Sequence, residues 1–322
     1  LQPLIWIIDE EWPDYETEKD VLARKFPDCT IRFSGEQFAA DLADFGKKAD
    51  AIICQVNIAM SADVIKELEN CKVIAVYGAG YDKVDVRSAK DKGILVTNVP
   101  GYCNEDLSDY VMASIYHFNK QLTDWQLPIK QGLWGAQAVN HPVKRVSKST
   151  LFIIGFGKIG WMTARKAKAL GMRVLAYGPH LTTETAKTYG VENVDFDTGL
   201  AQADYVSVHT PFTEATASLL SYKDFNKMKP TAYFINTSRG GVVNQKDLLQ
   251  AVREKKIAGA VLDVLQQEPP DRRDVILRCP QILVTPHISY LSEEALAELK
   301  YRAADNAAKV LAGEPTADVV AI

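Results

Sequence analysis

Three glycines, Gly155, Gly157 and Gly160, stand between an unbroken apolar run, Leu151-Phe152-Ile153-Ile154, and a helical pattern that begins at Trp161 and continues to Leu170. Four apolar residues with no polar alternation read as a strand buried on both faces, the kind found in parallel sheets covered by helices. The first glycine permits a tight turn, the second lets the backbone approach a pyrophosphate, and the third allows close packing of helix on strand, with the helix N-terminus facing the negative charge. Lys158 and Ile159, inside the turn, belong to the same expected site. A glycine-rich turn without a ligand is the plainer reading, and the strand–turn–helix context weighs against it.

The alternation of short β-branched runs with amphipathic stretches extends to both sides of this turn. Residues 4–8, 30–33, 51–54, 73–77 and 94–98 predict strands, with helical stretches such as 63–69 between them. A second series follows at 151–154, 173–177, 205–209, 232–236, 260–264 and 282–285. Between the two series, residues 104–121 place Leu107, Val111, Ile115 and Phe118 on one helical face, a bridge from the first pattern into the second. A last helical pattern, 292–311, opens on Ser-Glu-Glu. With 322 residues and about 100–200 residues to a domain, two α/β domains with parallel sheets are expected.

Composition narrows the possible partners. A net charge of −4 supplies no basic field for nucleic acid. The apolar run at 4–8 ends at Asp9 and is too short for a signal peptide or a membrane span. The five cysteines, Cys29, Cys54, Cys71, Cys103 and Cys279, show neither Cys-x-x-Cys nor Cys/His spacing, so no metal is expected and a reduced cytoplasm fits best.

Three polar residues follow the glycine turn: Arg239 in Asn-Thr-Ser-Arg-Gly, Glu268 in Gln-Gln-Glu-Pro and His287 in Thr-Pro-His-Ile-Ser. Reduction of a 2-oxo acid needs a cation for the carboxylate and a proton for the developing alkoxide. The planar fork of Arg239 can bind the carboxylate and polarise the neighbouring carbonyl, and its place after the apolar run 233–236 puts it at the carboxyl end of a strand, where ligands of such sheets bind. His287 is the acid/base candidate among five histidines because Glu268 could hold its ring and favour the protonated form. His117 lies in the bridging helical stretch, His141 in an expected loop, and His209 at a strand end. Singly, each residue has an ordinary reading: a surface ion pair for the arginine, a turn for the glutamate beside two prolines, a structural role for the histidine.

Together these motifs resemble the D-isomer-specific 2-hydroxyacid dehydrogenase family over nearly the whole chain. The resemblance implies two Rossmann/flavodoxin-like domains, with a dinucleotide-binding domain at 104–290 inserted in a substrate domain made of 1–103 and 291–322. It implies Arg239, Glu268 and His287 as the catalytic residues. It places Asp263 opposite the nicotinamide carboxamide and His209, Thr210, Pro211 and Thr237 along the cofactor. Ala79 and Gly80 match a loop that gives backbone amides to the substrate carboxylate, while Tyr102 and Tyr290 match pocket positions. A 2-oxo or 2-hydroxy acid substrate, a homodimer and an NAD or NADP cofactor are the corresponding expectations. After the second strand of the inserted domain, Gly178-Pro179-His180 stands where the family commonly has Asp-Pro, so the acid that holds the ribose hydroxyl of NAD is replaced by Gly178.

The histidine–glutamate pairing argues against formate dehydrogenase. Cys54-Gln55-Val56-Asn57 lacks the basic residue usual in phosphoglycerate dehydrogenases. The segments around Tyr102 and Tyr290 are closest to the branch that includes the C-terminal-binding-protein corepressors and their bacterial enzyme relatives. That branch supplies a rival expectation, a dinucleotide-sensing scaffold that binds peptide partners with little turnover. The given sequence ends soon after its last helical pattern, without the long extension common in such corepressors, which favours the enzyme.

Overall fold

The computed structural model describes residues 2–122, 124–139 and 143–321, and the chain divides into two compact units. One comprises Leu1–Tyr102 with Leu291–Ile322, the other Cys103–Tyr290.

In the first unit the strands β1 (Leu4–Ile8), β2 (Thr30–Ser34), β3 (Ala51–Gln55), β4 (Val73–Tyr77) and β5 (Leu95–Thr97) pair in the order β2-β1-β3-β4-β5. Every pairing is parallel. β3 and β4 are buried along their whole length, which is why they read as apolar runs without alternation, whereas the edge strand β2 is mostly exposed. The helix Glu293–Leu311 packs on β3, β4 and β5 and on the helix Glu16–Lys25. Its start is fixed by Ser292, whose hydroxyl accepts the Ala295 amide at 3.0 Å. Lys300 anchors it: the buried ammonium donates to the Asp14 carbonyl at 2.8 Å and lies over the rings of Trp12 and Tyr15. Beyond the helix, the Val320 amide donates to the Val96 carbonyl at 2.9 Å, so the chain's last described segment also joins this unit.

The second unit holds β6 (Thr150–Ile154), β7 (Arg173–Tyr177), β8 (Glu192–Asn193), β9 (Tyr205–Val208), β10 (Tyr233–Asn236), β11 (Gly259–Leu262) and β12 (Ile282–Val284). Their order is β12-β11-β10-β9-β6-β7-β8, all parallel. This is the Rossmann order, in which the chain's direction of travel across the sheet reverses between β6 and β9. Phe152 and Ile154 enter one apolar cluster with Val206, Val208 and Phe234, while Leu151 and Ile153 enter a second with Val174, Ala176 and Ile235. Burial of alternate residues on opposite faces explains the unbroken apolar run. The helix Asn104–Lys120 packs against the helix Lys158–Ala169 and ends where Gln121 takes a left-handed φ of 46°. Sequence reading missed β8, which has two residues and too short a period to register. The expected strands at 205–209, 260–264 and 282–285 stop earlier, at Val208, Leu262 and Val284. The residues just past these ends, His209, Asp263 and Thr285, are among those that build the site.

Candidate active site

The glycine turn lies where Rossmann sheets bind dinucleotides, at the carboxyl end of β6 beside the switch point. Gly155 has a φ of 95°, and a Cβ there would come within 2.8 Å of the His209 carbonyl. A Cβ on Gly160 would lie 2.3 Å from the Gly155 carbonyl oxygen, so only glycine lets the helix Lys158–Ala169 start this close to the strand. At Gly157, the N-cap, a Cβ would meet no atom within 4 Å. The turn is therefore closed behind and open in front of the helix N-terminus, where Lys158 and Ile159 offer first-turn amides. Beside it, the buried Thr210 hydroxyl oxygen has no hydrogen-bond partner among the described residues. An orphaned polar atom and an open helix N-terminus together fit a ligand carrying phosphate and hydroxyl groups, as a nicotinamide dinucleotide does.

Other expected cofactor residues border the same sheet edge. His209 is held neutral near physiological pH, because burial lowers its pKa to about 4, and its Nε2 lies 3.0 Å from the Ser207 hydroxyl. Thr237 is buried at the end of β10, and Pro211 is exposed. Gly178 follows β7 and is half-buried, with Pro179 and His180 exposed after it. No carboxylate stands at this strand end, which is the position of the ribose-binding acid in dinucleotide sites.

Within the second unit the structure brings Arg239, Glu268 and His287 to the ends of β10, β11 and β12. His287 Nδ1 lies 2.7 Å from Glu268 Oε2, and the other carboxylate oxygen accepts the Leu265 amide at 2.6 Å. The carboxylate is thereby fixed at both oxygens. Burial alone would raise the Glu268 carboxyl, but the hydrogen bond and charge of His287, the Leu265 amide and the Arg239 cation together hold it below the usual carboxylate range. At neutral pH it is ionised. Arg239 is half-buried and donates from Nη1 to the Ser238 carbonyl at 2.9 Å. Gly240 makes the close approach between the Arg239 turn and the Glu268 turn possible, since a Cβ there would fall 1.9 Å from the Leu265 carbonyl carbon.

Sequence reading did not find the residues that hold these side chains. Asn236 is almost fully buried; its Oδ1 accepts from the Ser238 amide at 3.0 Å and its Nδ2 donates to the Arg239 carbonyl at 3.0 Å. The strand-end Asn in the Asn-Thr-Ser-Arg-Gly motif was the available signal, since Asn at a turn often bonds its own backbone. Asp263, which the resemblance places opposite the nicotinamide carboxamide, lies just past the end of β11. It is 1% exposed, and its carboxylate accepts from the Thr285 hydroxyl and from the Ile288 and Ser289 amides. Three donors of the His287 loop thus fix the orientation of this carboxylate.

The remaining substrate candidates are divided between the units. Tyr290 is half-buried and closes the second unit. Ala79 and Gly80 follow β4 in the first unit, where the Ala79 carbonyl accepts from Asn98 Nδ2 at 2.8 Å. Tyr102 is half-buried at that unit's break. His117 lies in the helix Asn104–Lys120, and His141 falls outside the described residues. No helix of the described residues is long and apolar enough to cross a membrane, and none of their His, Cys, Asp and Glu side chains cluster as a metal site.

A Rossmann sheet with an open glycine turn at its switch point, and a histidine–carboxylate pair beside an arginine at neighbouring strand ends, defines a dinucleotide-dependent oxidoreductase. Residues 112–289 match the family model described as D-isomer specific 2-hydroxyacid dehydrogenase, NAD binding domain. The chain is 34% identical over 272 residues to a glyoxylate reductase of Korarchaeum cryptofilum, covering 83% of this chain and 81% of that protein. It is 34% identical over 272 residues to a glycerate dehydrogenase of Methylorubrum extorquens, covering 82% and 84%. The crystal structure of the TT0316 protein from Thermus thermophilus superposes with a TM-score of 0.86 at 28% identity, covering 98% of this chain and all of that one. The chain belongs to the D-isomer-specific 2-hydroxyacid dehydrogenase family and is an oxidoreductase that uses a nicotinamide dinucleotide.

Proposed function

We propose that this enzyme reduces a 2-oxo acid to a D-2-hydroxy acid, and runs the reverse oxidation, with Arg239, Glu268 and His287 as its working residues. The 2.7 Å contact between His287 and an ionised Glu268 carries this reading. Bound nicotinamide supplies or accepts the hydride. Arg239 holds the substrate carboxylate with its fork and polarises the adjacent carbonyl. His287, protonated and kept in place by Glu268, gives its proton to the carbonyl oxygen during reduction and takes it back during oxidation. The unit Cys103–Tyr290 binds the dinucleotide and contains the pocket candidate Tyr290; in the other unit the Ala79 and Gly80 amides and Tyr102 keep the substrate-binding roles that the family resemblance gives them. Named relatives that reduce glyoxylate or act on glycerate support small 2-oxo acids as the substrate class.

The test is turnover of NADH and NADPH against a panel containing glyoxylate, hydroxypyruvate, pyruvate and bulkier 2-oxo acids, with the chirality of the product determined. Turnover giving the D-product is expected on at least one of them. Absence of turnover across the panel with both cofactors would favour a dinucleotide-sensing scaffold instead.

Gly178 bears on cofactor choice. Without a carboxylate at this strand end nothing repels a 2′-phosphate, so the wild-type enzyme is expected to accept NADP(H) as well as NAD(H). Gly178→Asp adds an acceptor for the ribose hydroxyl and a charge against the phosphate. Its ratio of kcat/KM for NADH over NADPH should rise roughly tenfold, the order of one hydrogen bond to a charged group. The new Cβ lies 3.3 Å from the Phe156 amide nitrogen, a contact relieved by a shift of a few tenths of an ångström. Outright rejection of NADPH by the wild type, with the ratio unmoved in Gly178→Asp, would remove this account of the position.

A homodimer through the second unit is proposed from its exposed apolar stretch. Leu122, Leu127, Ile129 and Trp134 are 77%, 61%, 55% and 79% exposed, and large apolar side chains gathered on one exposed segment suit a protein contact. Sedimentation equilibrium is expected to give the mass of two chains for the wild type and of one chain for Trp134→Asp. A wild-type monomer at micromolar concentration contradicts the proposal.

A further inference from the structure

We infer that Asn98 is a positioning residue, which acts with the Val99 amide to aim the Ala79 and Gly80 N–H groups at the substrate carboxylate and is itself held in place by residues 316–319. The inference rests on the carboxylate-binding reading of those two amides given above.

A backbone N–H is aimed through the carbonyl of its own peptide unit. The unit is planar and trans, so its C=O and N–H point in opposite directions, and a bond that fixes one fixes the other. In the loop after β4 both relevant carbonyls are held by residues just past the end of β5. The Gly78 carbonyl, in the unit that carries the Ala79 N–H, accepts from the Val99 amide at 2.8 Å. The Ala79 carbonyl, in the unit that carries the Gly80 N–H, accepts from Asn98 Nδ2 at 2.8 Å. Two consecutive peptide units are thus held with their carbonyls towards residues 98 and 99 and their N–H groups facing away. Successive N–H groups presented together by a turn make an anion-binding concavity. The Val99 bond is main chain and survives any side chain at that position except proline. The Asn98 bond depends on its side chain, and against a carbonyl oxygen only the NH2 end of the amide can serve.

Asn98 is braced in turn. Its amide donates to the Asp318 carbonyl at 3.1 Å, and its carbonyl accepts from Asn306 Nδ2 at 3.2 Å. Asn306 is almost fully buried in the helix Glu293–Leu311, where Nδ2 also donates to Asp318 Oδ2 at 3.1 Å and Oδ1 accepts from the Thr316 hydroxyl at 2.6 Å. Asp318 Oδ1 accepts from Arg302 Nη2 at 2.8 Å, and Arg302 Nη1 donates to the Pro100 carbonyl at 3.2 Å. Thr97 forms an antiparallel bridge with Val319. The backbone that carries the Asn98 side chain is therefore fixed before, at and after that residue by groups from a distant part of the sequence.

Asn98→Ala removes the donor from the Ala79 carbonyl but leaves the Val99 bond, so it frees the unit that carries the Gly80 N–H. The substrate carboxylate meets this N–H in the ground state and in the transition state alike, so the loss falls on KM rather than on kcat. The experiment compares steady-state reduction of the best 2-oxo acid, inhibition by oxamate, a carboxylate that takes no hydride, and fluorescence titration of NADH in the variant and the wild type. KM and the oxamate Ki are each expected to rise about tenfold, the order of one hydrogen bond to a charged group, with kcat and NADH affinity within about threefold of wild type. Asp318→Ala should raise KM by a smaller factor and add nothing in an Asn98→Ala background, because it acts through that residue. Unchanged KM and Ki in Asn98→Ala, or a loss confined to kcat or to NADH binding, would overturn the inference. If Asn98→Ala does not fold, Asp318→Ala decides by the same split, with wild-type KM counting against the brace. Gly80→Pro, which has no N–H to offer, separates the brace from the reading beneath it. A raised KM in Gly80→Pro with wild-type KM in Asn98→Ala removes the brace alone, whereas an unchanged KM in Gly80→Pro refutes the amide reading itself.

Discussion

Arg239→Lys is expected to lower kcat/KM on the best 2-oxo acid by about 10²–10³ while leaving NADH binding intact, the usual loss when one preorganised donor to a developing oxyanion is removed. Lysine keeps the charge but not the planar pair of N–H groups that can meet a carboxylate and lean on its carbonyl at once. The arginine is placed for this by backbone rather than by its own reach. Asn236 holds its carbonyl, its Nη1 bonds the Ser238 carbonyl, and Gly240 seats the turn against Leu265. A shorter, flexible ammonium gains nothing from that seating. Near wild-type kcat/KM in Arg239→Lys would show that the guanidinium does not clamp the substrate.

His287→Ala should cost about 10²–10⁴ in rate, the worth of a positioned acid/base, and should abolish the part of the pH profile that belongs to this group. The half-exposed ring lies at a strand end with Nδ1 committed to Glu268, which leaves Nε2 as the nitrogen to exchange a proton with substrate. The other described histidines are placed differently: His209 is held neutral by burial, His117 lies within a helix, and His180 is exposed in the loop after β7. A rate in His287→Ala within a few-fold of wild type, with its pH dependence unchanged, would point to another proton donor.

Much of this site is legible in the amino-acid sequence because local chemistry carries it. Gly155, Gly157 and Gly160 declare themselves by their place between an apolar run and an amphipathic stretch, and the structure gives Gly155 and Gly160 a contact reason while nothing crowds Gly157. Arg239 follows a buried strand, and strand ends are where ligands of such sheets sit. The supporting bonds are another matter. Tyr110 meets Thr285 across 175 residues of sequence, and no periodicity in either segment announces the contact. Asp263 stands at the end of an apolar strand that suits a cofactor contact, but nothing there announces the three donors, on a loop more than twenty residues later, that hold its carboxylate. Gly178 was legible as a missing charge, whereas the space around it was not.

Whether an ionised Glu268 holds the imidazolium of His287 is decided by kcat/KM against pH in both directions for the wild type and Glu268→Gln. The Glu268 carboxyl is held below its usual range, so its negative charge is present throughout the neutral region, 2.7 Å from the ring. Glutamine removes that charge while keeping the shape, and a protonated ring beside it loses its counter-charge. Reduction needs the protonated ring, so its decline with rising pH should begin earlier in Glu268→Gln; oxidation needs the neutral ring, so its rise should begin earlier as well. Both limbs move to lower pH by the same amount if one group governs them. A shift of either limb to higher pH, or unmoved limbs with hydride transfer shown to be rate-limiting, would contradict the pairing.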